Sequence, residues 1–308
     1  MNQVVIAAPF SAFFRNYLLD KGFQLIDTDQ LNEIPDKASV NGIVTSNKLK
    51  LLADTLILFP QLKWIARLGS GMEIIDTDYC QQHQIACVSS PAGIANSVAE
   101  HMTAMLLSLL HHIPRAAQEI KQGQWNREAN RGIELENLRV GIIGYGHTGR
   151  AFAQKMKAFT PHVMAFDKYK SGFSDAYVQE KSLTEIQQQA DVISFHVPLT
   201  AETTHYYNQA FLAAMQKPHY FLNGSRGAVA STHTILEGLQ TGHILGAALD
   251  VVEEEAHMPE VLHTTNNTIA QLHGFNTLIT PHIAGYSFNA IEKMSAELLA
   301  GLQAKQLL

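Results

Sequence analysis

A short apolar run is followed by three glycines at the spacing G-x-G-x-x-G in the stretch Val140-Gly141-Ile142-Ile143-Gly144-Tyr145-Gly146-His147-Thr148-Gly149. The β-branched beginning of the stretch is typical of a strand that is buried on both faces. Gly144 permits a tight turn, Gly146 lets a pyrophosphate approach the backbone, and Gly149 lets the next helix pack closely on the strand. The stretch therefore predicts a strand, a glycine turn and a helix whose first amides hold phosphate groups.

An acidic residue follows one helix length later, at the end of Val163-Met164-Ala165-Phe166-Asp167. About 20 residues beyond such glycines, a carboxylate accepts hydrogen bonds from the adenosine ribose of a bound dinucleotide. A plain turn explains the glycines but not Asp167. The carboxylate also repels a ribose 2′-phosphate, which favours NAD, although Lys168 and Lys170 leave NADP open. The residues predicted to hold the coenzyme here are Gly144, Gly146, His147, Thr148, Gly149 and Asp167.

Composition limits the class of protein. At 308 residues the chain is longer than most single cores, so two domains are expected, and 46% hydrophobic residues indicate a globular chain. A net charge of -6 and the lack of a basic cluster argue against nucleic acid as a partner. Cys80 and Cys87 form neither a C-x-x-C motif nor a disulfide framework, which favours the cytoplasm. Residues 1–10 do not resemble a signal peptide, and the apolar stretch 102–110 is too short to span a membrane.

The first third of the chain alternates strand and helix patterns, which predicts a small parallel α/β domain. Proline and glycine in Ser90-Pro91-Ala92-Gly93-Ile94-Ala95-Asn96 indicate a hinge after it. We expect Ser97 to cap the next helix, with Glu100 completing a capping box, and the helix to continue to about Gln122. His101, His111 and His112 have no partners at metal-ligand spacing, so we predict no metal site.

Polar residues follow four further apolar runs after the glycine motif. Each run, together with the polar residues that follow it, spans one of the ranges 190–199, 219–227, 247–252 and 278–282. In a doubly wound sheet the carboxyl ends of the strands line the crevice where ligands bind. Earlier in the chain, the turn Gly69-Ser70-Gly71 follows a predicted strand; it is either an ordinary turn or a nest of backbone amides facing an anion.

Arg226, Glu255 and His282 come from three of these strand ends. An arginine holds a carboxylate with two parallel hydrogen bonds, and a histidine transfers a proton near neutral pH. A carboxylate beside the histidine fixes its tautomer. Each residue alone has an ordinary explanation, since arginines often form surface ion pairs and 253–255 reads equally as a solvated acidic turn. Together, next to a nicotinamide, they suffice for hydride transfer to a 2-oxo acid.

The chain resembles the D-isomer-specific 2-hydroxyacid dehydrogenases. The resemblance rests on the glycine motif and on the stretches 190–200, Asn223-Gly224-Ser225-Arg226-Gly227, 246–251 and Thr280-Pro281-His282-Ile283-Ala284-Gly285. It implies two Rossmann-like doubly wound parallel-sheet α/β domains, the cofactor domain being inserted into the substrate domain. The expected boundaries are 1–96 with 286–308 for the substrate domain and 97–285 for the NAD-binding domain.

The resemblance also implies roles for individual residues. Arg226 matches the substrate-binding arginine, His282 the catalytic acid and base, and Glu255 its acidic partner. The amides of Ser70 and Gly71 are expected to bind the substrate carboxylate. The remaining coenzyme positions implied are Ser225 and Asp250 near the nicotinamide, and His196 and Pro198 along the adenosine. Members of the family are usually dimers, so we expect a homodimer.

Several departures from the family pattern keep alternatives open. Ala256 replaces the proline that usually follows the catalytic glutamate, so Glu253 and Glu254 compete with Glu255. Thr45 stands where phosphoglycerate enzymes tend to have an arginine, although Lys48 is near in sequence. The leading hypothesis is an NAD-dependent oxidoreductase of small D-2-hydroxy acids. The alternatives are a D-3-phosphoglycerate dehydrogenase of serine biosynthesis and an NAD-sensing binding protein like the family's corepressors.

Overall fold

The computed structural model describes residues 2–258 and 267–308. The chain divides into two compact units, Met1–Ser97 with Gly285–Leu308, and Val98–Ala284. In the described part of the chain, no helix combines the length and the apolar character that crossing a membrane requires.

The first unit is built on a five-stranded sheet with the order β2-β1-β3-β4-β5 and parallel neighbours. Its strands are β1 Gln3–Ala7, β2 Gln24–Asp27, β3 Val40–Thr45, β4 Trp64–Arg67 and β5 Ala86–Ser89. Both faces of β1 are buried, because Val4 and Ile6 enter one apolar cluster and Val5 and Ala7 enter another. This alternation is the period-two pattern of a strand inside a three-layer domain.

Helices cover both faces of that sheet. They are α1 Ala12–Asp20, α2 Ala53–Leu56, α3 Thr77–Gln82 and, at the end of the chain, α11 Phe288–Ala304. The last helix places Met294, Leu298 and Leu302 in the same cluster as Val4 and Phe14. The C-terminal segment therefore completes the core of the first unit.

The helix predicted to begin at Ser97 begins earlier, so that prediction was wrong. Helix α4 spans Pro91–Leu110, which puts Ser97 inside it and makes the predicted hinge its first turns. Proline fits the first turn because its missing N–H has no partner there anyway. The first-turn amides of Ala92 and Gly93 donate to the carboxylate of Glu297 on α11, at 3.2 and 2.7 Å.

The same helix also ends before Gln122. It stops at Leu110, and a separate helix α5 spans Ile113–Lys121. His112 lies between them with a φ of 52°, in the left-handed region. Pro114 in the first turn of α5 has no N–H for a continuous helix, which explains the break.

The second unit contains a seven-stranded parallel sheet in the order β12-β11-β10-β9-β6-β7-β8. Its strands are β6 Val140–Ile143, β7 Val163–Phe166, β8 Val178–Glu180, β9 Val192–Phe195, β10 His219–Asn223, β11 Ile244–Leu249 and β12 Thr277–Ile279. The strand order reverses between β6 and β9, and ligands bind at such a switch point in open α/β sheets. The predicted fold class, two doubly wound parallel-sheet domains, is confirmed.

Helices of the second unit pack on both sides of this sheet. The further helices with described bounds are α6 His147–Met156, α7 Leu183–Gln189, α8 Gln209–Ala214, α9 Thr232–Gln240 and α10 Thr268–Leu272. Short 3-10 helices at Gly227–Val229 and Glu253–His257 follow β10 and β11. Phe195 and Phe221 lie fully buried in the core, in contact with the aromatic ring of Tyr207.

Candidate active site

The glycine turn has the geometry that its sequence predicts. Gly144 adopts a φ of 93°, which favours glycine, and a Cβ there would lie 2.6 Å from the carbonyl oxygen of His196. A Cβ on Gly149 would lie 2.0 Å from the carbonyl oxygen of Gly144. A Cβ on Gly146 would meet no described heavy atom within 4 Å. The first and third glycines are therefore required for packing, whereas the second leaves room above the turn.

Helix α6 begins at His147, directly after this turn, with Gly146 as its N-cap. The N-terminus of a helix offers free amides and a positive dipole end to an anion. The open space at Gly146 and the amides that begin α6, including those of His147 and Thr148, fit a dinucleotide pyrophosphate.

Asp167 follows β7 immediately and is fixed against the turn. Its carboxylate accepts hydrogen bonds from the backbone N–H of Tyr145 at 2.8 Å and of Tyr169 at 2.9 Å. Since β7 is the neighbour of β6, the carboxylate stands beside the glycine motif, where a ribose hydroxyl would find an acceptor.

His196 supports the turn from within the protein. The side chain is 7% exposed, and its Nε2 is 2.9 Å from the hydroxyl of Ser194. Nδ1 has no hydrogen-bond partner in the described part of the chain. Burial lowers the pKa of His196 to about 3, so the ring is neutral at physiological pH. Pro198, further along the same loop, is exposed and accepts a hydrogen bond from Thr203 at 2.6 Å.

The loop after β10 is shaped by Asn223. The buried amide oxygen of Asn223 accepts from the backbone and the hydroxyl of Ser225, at 3.1 and 2.7 Å, and its Nδ2 donates to the carbonyl of Arg226 at 3.0 Å. A Cβ on Gly227 would lie 1.9 Å from the carbonyl oxygen of Val252. The arginine loop therefore passes against the loop that follows β11, which leads into the three glutamates.

The imidazole of His282 is hydrogen-bonded to one of these three glutamates. Nδ1 lies 2.5 Å from Oε1 of Glu255, and both side chains are partly exposed. Glu253 instead accepts from the backbone of Thr232 and contacts His205, and Glu254 accepts from the hydroxyl of Thr232 at 3.0 Å. The geometry thus favours Glu255 over Glu253 and Glu254 as the partner of His282. With Nδ1 held, Nε2 is left to hold or move a proton.

The backbone of His282 is in the left-handed region, with a φ of 54°. Such a conformation is costly for a non-glycine residue and persists where neighbours impose it. In this loop the N–H of His282 donates to the carbonyl of Asp250 at 2.8 Å and to that of Thr280 at 2.9 Å.

Asp250 is the buried anchor of the loop that carries His282. Its carboxylate accepts from the Thr280 hydroxyl at 2.5 Å and from the backbone N–H of Ile283 and Ala284 at 2.9 and 2.8 Å. Nε2 of His101 lies 3.0 Å from the same hydroxyl. Sequence alone predicts a coenzyme role for Asp250 and no metal-binding role for His101. The contact between His101 and Thr280 joins residues 179 positions apart, and nothing in the local sequence indicates it.

Ser70 and Gly71 belong to the first unit, in the loop after β4. The preceding Gly69 has a φ of 136°, and its N–H donates to the hydroxyl of Ser90 at 3.0 Å. Ser70 is exposed and Gly71 is buried. Their role in holding a substrate carboxylate stays a prediction, as do the roles of the other predicted site residues.

The second unit combines a glycine turn that fits a nucleotide with a carboxylate-held imidazole, and an arginine follows a neighbouring strand. Within residues 2–258 and 267–308, no group of three or more His, Cys, Asp or Glu side chains is arranged to hold a metal ion. The turn and the strand exits together define a class, the dinucleotide-dependent oxidoreductases that pair a coenzyme with a protein acid and base.

Comparisons with known proteins identify the family within that class. The sequence model described as "D-isomer specific 2-hydroxyacid dehydrogenase, NAD binding domain" matches residues 103–284. The hydroxypyruvate reductase of Thermotoga maritima is 31% identical over 277 residues, which cover 89% of this chain and 87% of that protein. The chain therefore belongs to the family of D-isomer-specific 2-hydroxyacid dehydrogenases. The family and the coenzyme NAD, both predicted from the sequence, are confirmed.

Other relatives differ in length and in named substrate. The D-3-phosphoglycerate dehydrogenase of Bacillus subtilis is 32% identical over 84% of this chain, and the chain spans about half, 48%, of that protein. The crystal structure of the D-lactate dehydrogenase of Aquifex aeolicus, complexed with NAD and lactic acid, superposes with a TM-score of 0.83 at 27% identity. That superposition covers 99% of this chain and 96% of the other.

Proposed function

We propose that this chain is an NAD-dependent oxidoreductase that interconverts a small D-2-hydroxy acid and its 2-oxo acid. The observation that carries the proposal is the hydrogen bond between His282 and Glu255, in the same unit as the glycine turn. An imidazole whose tautomer is fixed by a carboxylate is suited to transfer a proton to and from a substrate oxygen.

The roles of the protein groups follow from their chemistry. NADH, held at the glycine turn and by Asp167, would supply the hydride for the carbonyl carbon. His282 donates a proton to the carbonyl oxygen as the hydroxyl forms, and Glu255 stabilises the imidazolium before that transfer. Arg226 binds the substrate carboxylate and polarises the carbonyl beside it. In the oxidation of the hydroxy acid, His282 removes the hydroxyl proton instead.

An unphosphorylated substrate is favoured over 3-phosphohydroxypyruvate. Thr45, at the position of the arginine expected in phosphoglycerate enzymes, is fully buried, and its hydroxyl donates to the carbonyl of Leu49 at 3.2 Å. Lys48, the other candidate, forms an ion pair with Asp29 at 3.1 Å. Ile74, which follows the turn Gly69-Ser70-Gly71, and Ile94, near the start of α4, are apolar, so neither offers a polar group to a phosphate.

Three further features of the proposed enzyme extend beyond the site. We infer a homodimer, because Ile113 and Ile120 on α5 and the nearby Trp125 expose large apolar side chains, which favours a covered surface. Gel filtration with light scattering would return twice the chain mass of 34.0 kDa; a monomer would refute this.

A net charge of -6 supports the absence of nucleic acid as a partner, and the free thiols of Cys80 and Cys87 support a cytoplasmic location.

The substrate class is tested by following NADH absorbance with a panel of 2-oxo acids. The panel contains pyruvate, glyoxylate, hydroxypyruvate, a branched or aromatic 2-oxo acid, and 3-phosphohydroxypyruvate. We expect kcat/KM for hydroxypyruvate to exceed that for its phosphorylated form, and chiral chromatography to return the D-hydroxy acid. A clear preference for the phosphorylated acid would establish a phosphoglycerate dehydrogenase instead. NADH binding without turnover on any acid would favour the binding-protein alternative.

A further inference from the structure

The rim of the coenzyme site contains two lysines that belong to neither the glycine turn nor the catalytic set. Lys168 and Lys170 follow Asp167 directly, and lysines at this position are suited to hold a ribose 2′-phosphate. Their side chains thus bear on the choice between NAD and NADP. The following inference rests on the binding of NAD by this chain.

Both lysines already have partners in the protein. The ammonium of Lys168 is 2.6 Å from Oε2 of Glu202, and that of Lys170 donates to the carbonyl of Tyr145 at 3.1 Å. The phenol of Tyr169 donates to the same oxygen of Glu202, also at 2.6 Å. One carboxylate oxygen of Glu202 therefore engages two successive residues of the β7 exit loop.

Glu202 comes from a different strand exit. It lies in the loop after β9, whereas Lys168 and Tyr169 follow β7, and these two strands flank β6 and its glycine turn. The hydrogen bonds from Lys168 and Tyr169 lower the pKa of the Glu202 carboxyl, and the same contact raises the pKa of Lys168. Glu202 is thus ionised at neutral pH and joins the two loops that border the adenosine end of the predicted site.

The charges at this rim explain what the contact does to a phosphate. Asp167 and Glu202 contribute two negative charges, and Lys168 and Lys170 contribute two positive ones, so the group is neutral. A ribose 2′-phosphate brings about -1.5 to -2 charges at pH 7. It would meet the carboxylates of Asp167 and Glu202 and would have to displace Glu202 from Lys168.

We propose that Glu202 is a second determinant of NAD over NADP, acting beside Asp167 by occupying Lys168 and Tyr169. Asp167 accepts the ribose hydroxyl and repels a phosphate directly. Glu202 keeps the ammonium of Lys168 and the phenol of Tyr169 bonded to itself, so that neither is available to a phosphate. Replacing Asp167 alone removes only part of the discrimination and leaves Lys168 engaged.

The test measures coenzyme binding by the full chain, without turnover. NADH and NADPH are titrated by nicotinamide fluorescence into the unaltered protein, Asp167→Ser, and the double variant Asp167→Ser with Glu202→Gln. A third variant adds Lys168→Ala to the double variant. The matched control combines Asp167→Ser with Glu128→Gln, since Glu128 is another exposed glutamate of this unit that pairs with a cation, Arg131.

We expect the double variant to bind NADPH about three- to tenfold more tightly than Asp167→Ser, as one freed charged partner is worth that much at a partly exposed site. NADH binding should change less than about twofold between these two variants, because NADH has no 2′-phosphate to contact Lys168. Most of the gain in NADPH affinity should be lost in the variant with Lys168→Ala, and the gain should shrink at high salt, because it is mainly electrostatic. The Glu128→Gln control should show no gain.

Equal NADPH affinity in Asp167→Ser and in the double variant would overturn the inference about Glu202 while leaving NAD binding intact. A gain in NADPH affinity that is undiminished by Lys168→Ala, or that appears equally with Glu128→Gln, would also overturn it. If the unaltered protein bound neither coenzyme, both the coenzyme site and this inference would fall. These results separate failure of the specificity device from failure of the proposed function.

Discussion

The proposed proton transfer by His282 depends most directly on Glu255, because the carboxylate of Glu255 holds Nδ1 of the imidazole. We expect Glu255→Gln to lower kcat by about 10²-fold, since an amide no longer stabilises the imidazolium or enforces the tautomer. The Kd for NADH should stay within about twofold. Steady-state kinetics with the preferred 2-oxo acid measures the effect.

Glu254→Gln is the matched control for that substitution. Its carboxylate is bonded to Thr232 rather than to His282, so we expect a nearly unchanged kcat. An equal loss in the two variants would contradict the assignment of Glu255. The sequence left Glu253, Glu254 and Glu255 open because a register shift of one residue in the short helix after β11 would present a different side chain.

Two buried histidines of the second unit make its stability depend on pH. Burial lowers the pKa of His196 to about 3 and that of His219 to about 4. The unfolded chain, with a histidine pKa near 6.5, therefore binds more protons than the folded chain between these values. The stability linked to the neutral state of these two histidines is fully present above about pH 6.5. It is lost as the pH falls towards their pKa values in the folded chain. We expect each to remove about 2 kcal/mol of stability between pH 7 and pH 5.

Urea unfolding at several pH values measures this slope. His196→Asn should unfold with a smaller pH dependence than the unaltered protein, whatever its absolute stability. His162→Asn, at an exposed position, is the control and should keep the original slope. A slope that is unchanged by the His196 substitution would contradict a buried-histidine origin of the pH dependence.

At the scale of the elements, two glycines of the turn are expected to serve different purposes: Gly149 allows close packing, and Gly146 allows the coenzyme to bind. Gly149→Ala would place a Cβ 2.0 Å from the carbonyl of Gly144, so we expect a loss of about 1–3 kcal/mol of stability from overpacking. Gly146 has a φ of -81° and open space around it, so the fold should tolerate Gly146→Ala. NADH binding should nevertheless weaken about tenfold or more, because the new methyl group lies where the pyrophosphate approaches the backbone.

Thermal unfolding and NADH titration distinguish these two effects. A Gly146→Ala protein that binds NADH with unchanged affinity would contradict the placement of the pyrophosphate. A Gly149→Ala protein that is as stable as the unaltered protein would contradict the close contact with Gly144.

The elements also show which parts of the structure were predictable. Strand β6, its turn and the strand before Asp167 were predicted because each is coded by adjacent residues. The start of α4 at Pro91 was not, because the acceptor for its first amides is Glu297, more than 200 residues away. Strands β5 and β8 were missed because their residues carry no clear pattern of apolar positions.

At the scale of the whole molecule, the order of strand exits along the chain allowed the candidate site to be predicted. Arg226, Glu255 and His282 follow β10, β11 and β12, which are neighbours in one sheet, so parallel topology places their loops at one edge. Side-chain details at that edge depend on contacts that sequence spacing does not reveal. Asp250 was expected at the nicotinamide, and its carboxylate is bonded to the loop of His282.

The proposed proton transfer by His282 is tested most directly by comparing turnover with NADH binding. NADH oxidation by the preferred 2-oxo acid and NADH affinity are measured side by side for the unaltered protein and for His282→Ala. We expect kcat to fall by about 10³-fold or more in the variant, because the loss of a general acid typically lowers the rate by that much. The Kd for NADH should remain within about twofold. Undiminished turnover in His282→Ala would contradict the mechanism.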